Sequence, residues 1–178
     1  MQARSRTARS VDFTRLAQQF ERVMVTAVFQ PWAADLIESV GVVAGSRVLD
    51  VACGTGIVAR LAAPRVGPGG RVAGLDLNEA MIAVAQSQAP PNGPIIEWRQ
   101  GDAVRLPYAD GAFDVVLCQQ GLQYMSEPVP ALEEMKRVVV RGGRVGLSVF
   151  AQSIGYELLE RTIAHVVGAA AARAMQEP

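Results

Sequence analysis

The sequence predicts an α/β fold built on a doubly wound parallel sheet. From Arg47 onward, short apolar runs alternate with stretches of helical spacing. The connections between them are short, as expected where strands are joined by crossover helices. The first apolar run ends in LDVACGTG, residues 49–56, a tight glycine turn with a carboxylate just ahead of it. An open parallel sheet binds its ligand at that place, beyond the carboxyl end of the strand beside which strand order reverses.

Two helices precede the sheet. Phe13, Leu16, Phe20, Val23 and Ala27 recur at helical spacing, and Pro31 is expected to end that helix. Trp32, Leu36, Ile37 and Val40 mark a second, shorter helix that stops at Gly41. The first strand is RVLDVA, followed by a helix over about 56–63. The second is RVAGLD, after which Asn78 is the N-cap of a helix. APPNGP at 89–94 reads as a loop, IIEWRQ as the third strand and FDVVLCQ as a buried fourth strand, with Pro107 in the loop between these two. A helix around 130–139, a Gly-Gly turn and RVGLSVF, the fifth strand, follow, and the alanine-rich stretch 169–174 reads as helix.

Half of the 178 residues are apolar, which suits one domain with a substantial core. Acidic and basic residues number 17 each, so no overall field draws the chain to nucleic acid or to an anionic membrane. Cys53 and Cys118 stand far apart at the ends of apolar runs, which suits reduced thiols and a cytoplasmic protein. With His165 the only histidine and no Cys/His cluster, no metal site is expected. No run approaches the ~20 apolar residues needed to cross a bilayer. The Arg- and Ser-rich start, MQARSRTARS, superficially resembles a transit peptide but reads more simply as a solvated tail.

The glycines leave two ligands open. Gly54, Gly56 and Ala59 also satisfy the dinucleotide pattern G-x-G-x-x-G/A, and an NAD-dependent oxidoreductase is one reading of the chain. Asp50 argues against it, because a pyrophosphate on the turn would face that carboxylate, and two like charges ~4 Å apart repel by ~4 kcal/mol at an effective dielectric of 20. S-adenosylmethionine removes the conflict. Its methionine end offers a carboxylate to the helix amides and an ammonium to an acid, and its sulfonium is also positive. Asp76, about 20 residues past the glycines, suits the hydroxyls of a ribose. Asp102 in QGDAVRLP could accept from an adenine amino group while the amide of Ala103 reaches a ring nitrogen. Each of the three acids also has a plainer reading, as a strand-end, helix-start or turn residue.

At these residues the sequence resembles the class I S-adenosylmethionine-dependent methyltransferases, and among them the small-molecule group that includes the ubiquinone and menaquinone C-methyltransferases. VLDVACGTG, GLDLN, GDAVRLP, FDVVLCQQGLQYM and LEEMKRVVVRGGR occur in order from about 46 to 150. The resemblance implies a Rossmann-like sheet of order 3-2-1-4-5. It also implies that Asp50, Ala52, Gly54 and Gly56 hold the methionine part, Asp76 and Leu77 the ribose and adenine edge, and Asp102 and Ala103 the adenine. Gln119 and Gln120 are expected near the sulfonium and the incoming nucleophile. The organisation is then a flexible tail at 1–10, helices at 11–41 forming a lid on the substrate side, and a cofactor-binding domain at 42–178.

Two departures stand out. Arg141 replaces the proline of the family's Pro-Gly-Gly turn, and the family continues past its fifth strand and helix into two further strands, the last antiparallel, whereas this chain ends at Pro178. A C-terminally shortened form is therefore expected, with RVGLSVF as an exposed edge prone to self-association. In-line methyl transfer to a small organic acceptor requires no fixed base, and none is assigned among His165, Tyr124 and Cys118. Phe20, Phe29 and Trp32 either recognise the acceptor or simply form core. The LCQQGLQYM stretch lacks the Asn/Asp-Pro-Pro-aromatic signature of nucleobase amino-methylating enzymes. A binding-only domain is the alternative to catalysis.

Overall fold

The computed structural model describes residues 12–88 and 94–150. The 1–10 tail, most of the 89–94 loop, His165 and the 169–174 stretch lie outside the described residues. Five parallel strands form one sheet: β1 (Arg47–Val51), β2 (Arg71–Asp76), β3 (Ile96–Gln100), β4 (Phe113–Gln119) and β5 (Val139–Ser148). Their order is β3-β2-β1-β4-β5, as expected. β1 is central, with Asp50 opposite Gly74 of β2 and Leu117 of β4.

Crossovers of a parallel sheet bury both faces, and each face here has its own apolar layer. On one face α2 (Gln30–Val40) and α3 (Ile57–Val66) bury Leu36, Ile37, Val58, Ala62 and Val66 against Val48, Val72 and Leu117. On the other, α5 (Pro128–Val138) and the loop before β4 bury Met135, Val138 and Leu106 against Leu49, Val51 and Phe113. α4 (Glu79–Ser87) packs on β2 and β3 and is capped by the Asn78 side chain, which accepts from the Ala80 amide at 2.9 Å. Among the described residues no helix is long and apolar enough to cross a membrane.

The N-terminal helices correct one expectation. α1 (Phe13–Phe20) passes without a break into a π-helical segment, Glu21–Phe29, which passes directly into α2. Pro31 does not end a helix. It sits in the first turn of α2, within the continuous helix, and the widened turn is seen in the Gln30 amide bonding back to the Val25 carbonyl five residues earlier. α2 closes at Gly41, whose φ of 73° is the left-handed geometry glycine supplies.

β5 also starts earlier than expected, at Val139, so that the Gly-Gly pair lies inside it. Phe113 pairs with Val139 but Val115 with Arg144, and the surplus residues bulge at Gly142, φ 81°.

The loop between β3 and β4 carries no helix and is held by Arg137 of α5. The guanidinium donates to the Tyr108 carbonyl and Asp110 at 2.8 Å, to the Leu106 carbonyl at 3.0 Å and to both oxygens of Glu134 at 2.7 Å. Glu134 in turn accepts from the Leu106 amide at 2.8 Å. Arg137→Ala should lower stability by about 2 kcal/mol in a chemical denaturation series. Arg137→Lys should recover less than half, because an ammonium cannot reproduce the planar fork.

Candidate functional site

The turn after β1 is assembled from backbone that ordinary residues avoid. Ala52 (φ 54°), Gly54 (φ 54°) and Gly56 (φ 88°) are all left-handed. For Ala52 this is a local strain of roughly 1 kcal/mol, of the kind that clusters at binding sites. The turn delivers the chain into α3, whose N-cap, Gly56, has no side chain to offer, so the Ile57 and Val58 amides and the positive dipole end face the carboxyl edge of the sheet.

Two carboxylates set the shape of this turn. Asp50 lies beneath it, 1% exposed, and accepts from the Ala59 amide at 3.1 Å. Asp76, at the end of β2, accepts from the Gly54 amide at 2.7 Å and from the Asn78 amide at 2.8 Å, binding the turn to the second crossover. Burial pushes the Asp50 carboxyl up to about 8, with Asp76 adding to the rise and the Ala59 amide and Arg60 opposing it. The Asp76 carboxyl is raised too, chiefly by burial, against the pull of its two amides.

An acid whose folded pKa exceeds its unfolded value binds more protons when folded over the range between the two. The ligand-free protein should therefore lose stability as pH rises from about 4 to about 8, and Asp50→Asn should flatten that dependence in thermal melts across the range.

A floor and a roof complete the turn. The Trp98 ring from β3 occupies the space where side chains on Gly56 and Gly74 would stand. Above, the Phe20 ring lies 3.9 Å from the Cβ position of Gly54. Beside it Glu21 forms a largely buried 2.6 Å ion pair with Arg60 of α3, whose other nitrogen donates to the Thr55 carbonyl at 2.9 Å. Glu21 Oε2 and Thr55 Oγ1 are buried without a hydrogen-bond partner in the structure.

The other expected residues stand along the same edge of the sheet. Gln119 donates to the Phe29 carbonyl at 2.9 Å and leaves its own buried Oε1 unpaired. Gln120, left-handed at φ 57°, bonds Ser148 through its amide at 2.6 Å and its side chain at 3.0 Å, again with Oε1 unpaired. Leu77 is 67% exposed just past β2. Asp102 accepts from the Val104 amide at 3.1 Å, and the Ala103 side chain is buried in the α5-side core, leaving only its backbone for recognition.

Asp50, Ala52, Gly54 and Gly56 thus lie on one turn, which Asp76 bonds at Gly54 and Asp50 ties to Ala59 of α3. Leu77, Asp102, Ala103, Gln119 and Gln120 surround it without hydrogen bonds to it. Sequence reasoning missed Glu21, Arg60 and Trp98. Arg60, set in the middle of the alanines and valines of α3, was the only signal for the ion pair. Burial pushes the Cys118 thiol up to about 12 and leaves it 0% exposed, which removes it as a proton acceptor.

Residues 49–147 match the family model described as a methyltransferase domain. The chain belongs to the methyltransferase domain family. It is 36% identical over 142 residues to the 2-phytyl-1,4-naphtoquinone methyltransferase of Thermosynechococcus vestitus, covering 78% of this chain and 63% of that protein. It is 34% identical over 140 residues to the demethylmenaquinone methyltransferase of Lactobacillus johnsonii, covering 76% and 57%. The chain therefore spans about three-fifths of the length of these relatives. Among solved structures it resembles the S-adenosylmethionine-dependent methyltransferase of Mesorhizobium loti, with 28% identity and a TM-score of 0.57 over 67% of this chain and 53% of that one.

S-adenosylmethionine is the cofactor that membership in this methyltransferase family implies, which decides between the two ligands admitted by the glycine spacing. The residues present fit it. The α3 amides suit its carboxylate, the buried acid beneath them suits its cationic groups, and the unpaired Glu21 and Thr55 oxygens suit its ammonium and hydroxyl hydrogens.

Proposed function

We propose that this chain transfers a methyl group from S-adenosylmethionine to a small organic acceptor of the quinone class that the names of its relatives specify. The observation that carries the reading is the charge arrangement of the turn: helix amides that attract an anion, set beside the buried carboxyls of Asp50 and Asp76, whose ionised forms a bound cation favours. A zwitterion meets both demands.

When bound, the cofactor supplies a methyl group already activated on a sulfonium. The protein's work is then positioning, electrostatics and exclusion of water. The backbone of Ala52, Gly54 and Gly56 and the first amides of α3 receive the methionine carboxylate. Asp50 holds a negative potential below the ammonium, and a cation brought beside it favours its charged form, so binding at neutral pH releases a proton. Asp76 accepts from the ribose hydroxyls, Leu77 flanks the adenine, and Asp102 with the Ala103 amide reads its edge. Gln119 and Gln120, at the end of β4, would stand on the sulfonium side of the site. The segment 12–40 acts as the lid, with Phe20 and Glu21 over the turn. No residue is assigned as a base.

Calorimetric titration with S-adenosylhomocysteine, with NADH as control, tests the reading. Saturable binding of the first and none of the second is expected, followed by transfer of labelled methyl to a naphthohydroquinone. Binding of NADH alone would sink it, and cofactor binding without turnover of any acceptor would leave a binding-only domain.

The exposed apolar side chains of Val145 and Leu147 in β5 and of Val149 just after it support self-association through that edge, which sedimentation velocity of the protein and a Leu147→Lys variant should show as a dimer and a monomer. The buried free thiols of Cys53 and Cys118 support the reducing cytoplasm as its location.

A further inference from the structure

We infer that Arg60 is a positioning residue: its guanidinium ties the N-terminal segment to the glycine turn, so that seating of that segment and binding of a ligand on the turn are one coupled event. The inference rests on the methyltransferase reading and deepens it by naming what links the lid to the cofactor site.

Arg60 is 9% exposed on α3, a helix whose other buried residues include Val58, Ala59, Ala62 and Ala63. A guanidinium in such a place is tolerated only when its charge and its donors are met. Two separate elements meet them. One terminal nitrogen donates to the Thr55 carbonyl within the turn at 2.9 Å, and the other to Glu21 of the N-terminal segment at 2.6 Å.

The neighbouring residue of α3 completes the arrangement. Asp50, where the turn begins, accepts from the Ala59 amide at 3.1 Å. Consecutive residues of α3 therefore grip the turn near both of its ends, and the second of them also reaches the lid. Its charge acts on Asp50 as well, opposing the rise that burial causes.

On the lid side, Glu21 opens the π-helical segment Glu21–Phe29, and Phe20 just before it brings its ring to 3.9 Å from the Cβ position of Gly54. Wide helical turns of this kind recur at functional sites. Two successive residues of the segment thus meet the turn, one directly and one through Arg60.

Stability alone does not account for the pair, because apolar side chains of similar volume often stabilise a buried site as well as an ion pair does. What the pair adds is dependence. With Glu21 withdrawn, Arg60 keeps a buried charge with one partner, which disfavours the turn geometry that holds Arg60 in place. A ligand that fixes the turn therefore favours the seated lid, and by linkage the seated lid favours the ligand.

The test is calorimetric titration with S-adenosylhomocysteine, and hydrogen exchange read by mass spectrometry with and without it, on the wild-type chain, Glu21→Gln, Arg60→Met and the double variant. In the wild type the ligand should slow exchange both in the turn and in the Glu21–Phe29 segment. Glu21→Gln should weaken binding at least fivefold and confine the protection to the turn. Arg60→Met should weaken it at least tenfold, and the double variant should bind within twofold of Arg60→Met, because both changes break one linkage. Glu21→Gln keeps the shape of the side chain and an acceptor for Arg60, so it gives the answer if Arg60→Met does not fold. Wild-type affinity in either folded single variant, losses that multiply in the double variant, or ligand protection of the segment undiminished in Glu21→Gln each overturns the inference. So does wild-type binding that protects the turn and leaves the segment unprotected. Failure of S-adenosylhomocysteine to bind the wild type overturns the methyltransferase reading on which the inference stands.

Discussion

Asp76→Ala weakens S-adenosylhomocysteine binding at least 100-fold in calorimetric titration, the largest expected effect on ligand affinity. The carboxylate acts twice. In the structure it accepts from the Gly54 amide at 2.7 Å and the Asn78 amide at 2.8 Å, so its removal leaves the Gly54 amide without its partner. On the proposed reading it also accepts from the ribose hydroxyls, and charge-assisted bonds of that kind are worth roughly 1.5–3 kcal/mol each. Asp76→Asn keeps one acceptor oxygen and the shape of the side chain, and should fall between the two. A thermal melt separates loss of the ligand from loss of the fold. The Asn78 side chain still caps α4 in both variants, so the melting temperature should shift far less than the affinity. Wild-type affinity in Asp76→Ala would remove this residue from the site.

Gly56→Ala is the substitution with the largest expected effect on stability, about 3 kcal/mol in chemical denaturation. Two costs combine. At φ 88° the backbone penalises any Cβ by roughly 1–2 kcal/mol, and the new methyl group would stand within the space of the Trp98 ring, so that packing must yield. A double-mutant cycle with Trp98→Leu distinguishes them. The leucine relieves the collision but leaves the dihedral cost, so the two changes together should be less damaging than their sum by more than 1 kcal/mol. Strict additivity would show that Trp98 does not set the space beside Gly56.

Where alternation between apolar run and helix was strong, the fold could be read directly. RVAGLD and FDVVLCQ coincide with β2 and β4, and Asn78 caps α4 as its side chain predicts. The misreadings have local physical causes. Pro31 has the same composition signal whether it ends one helix or opens the next, and only the bonding of Gln30 to Val25 shows that the helix runs on through a wider turn. The start of β5 was hidden because a glycine pair signals a turn in sequence, whereas in the sheet it accommodates a bulge opposite Phe113 and Val115.

For the site, residues close together in sequence were legible and those brought together by folding were not. Asp50, Gly54 and Gly56 announce themselves within one motif. Glu21 and Arg60 lie 39 residues apart, and nothing in their own neighbourhoods says that they meet. Trp98 was read only as a strand residue, because its importance comes from two glycines that leave room for it on other elements.

The central position of β1 also governs how the chain reaches this state. β1 is made first, yet one of its edges is completed only by β4, where Asp114 receives the Arg47 backbone and guanidinium across 67 residues. A nascent chain emerging from the ribosome therefore carries Val48, Leu49 and Val51 with an open flank until residue 119 has been synthesised, and closing that long loop is entropically costly. During this interval the apolar strand is a target for holding factors and for misassociation. The arrangement that gives the finished protein its binding turn leaves the growing one with its most vulnerable segment exposed longest.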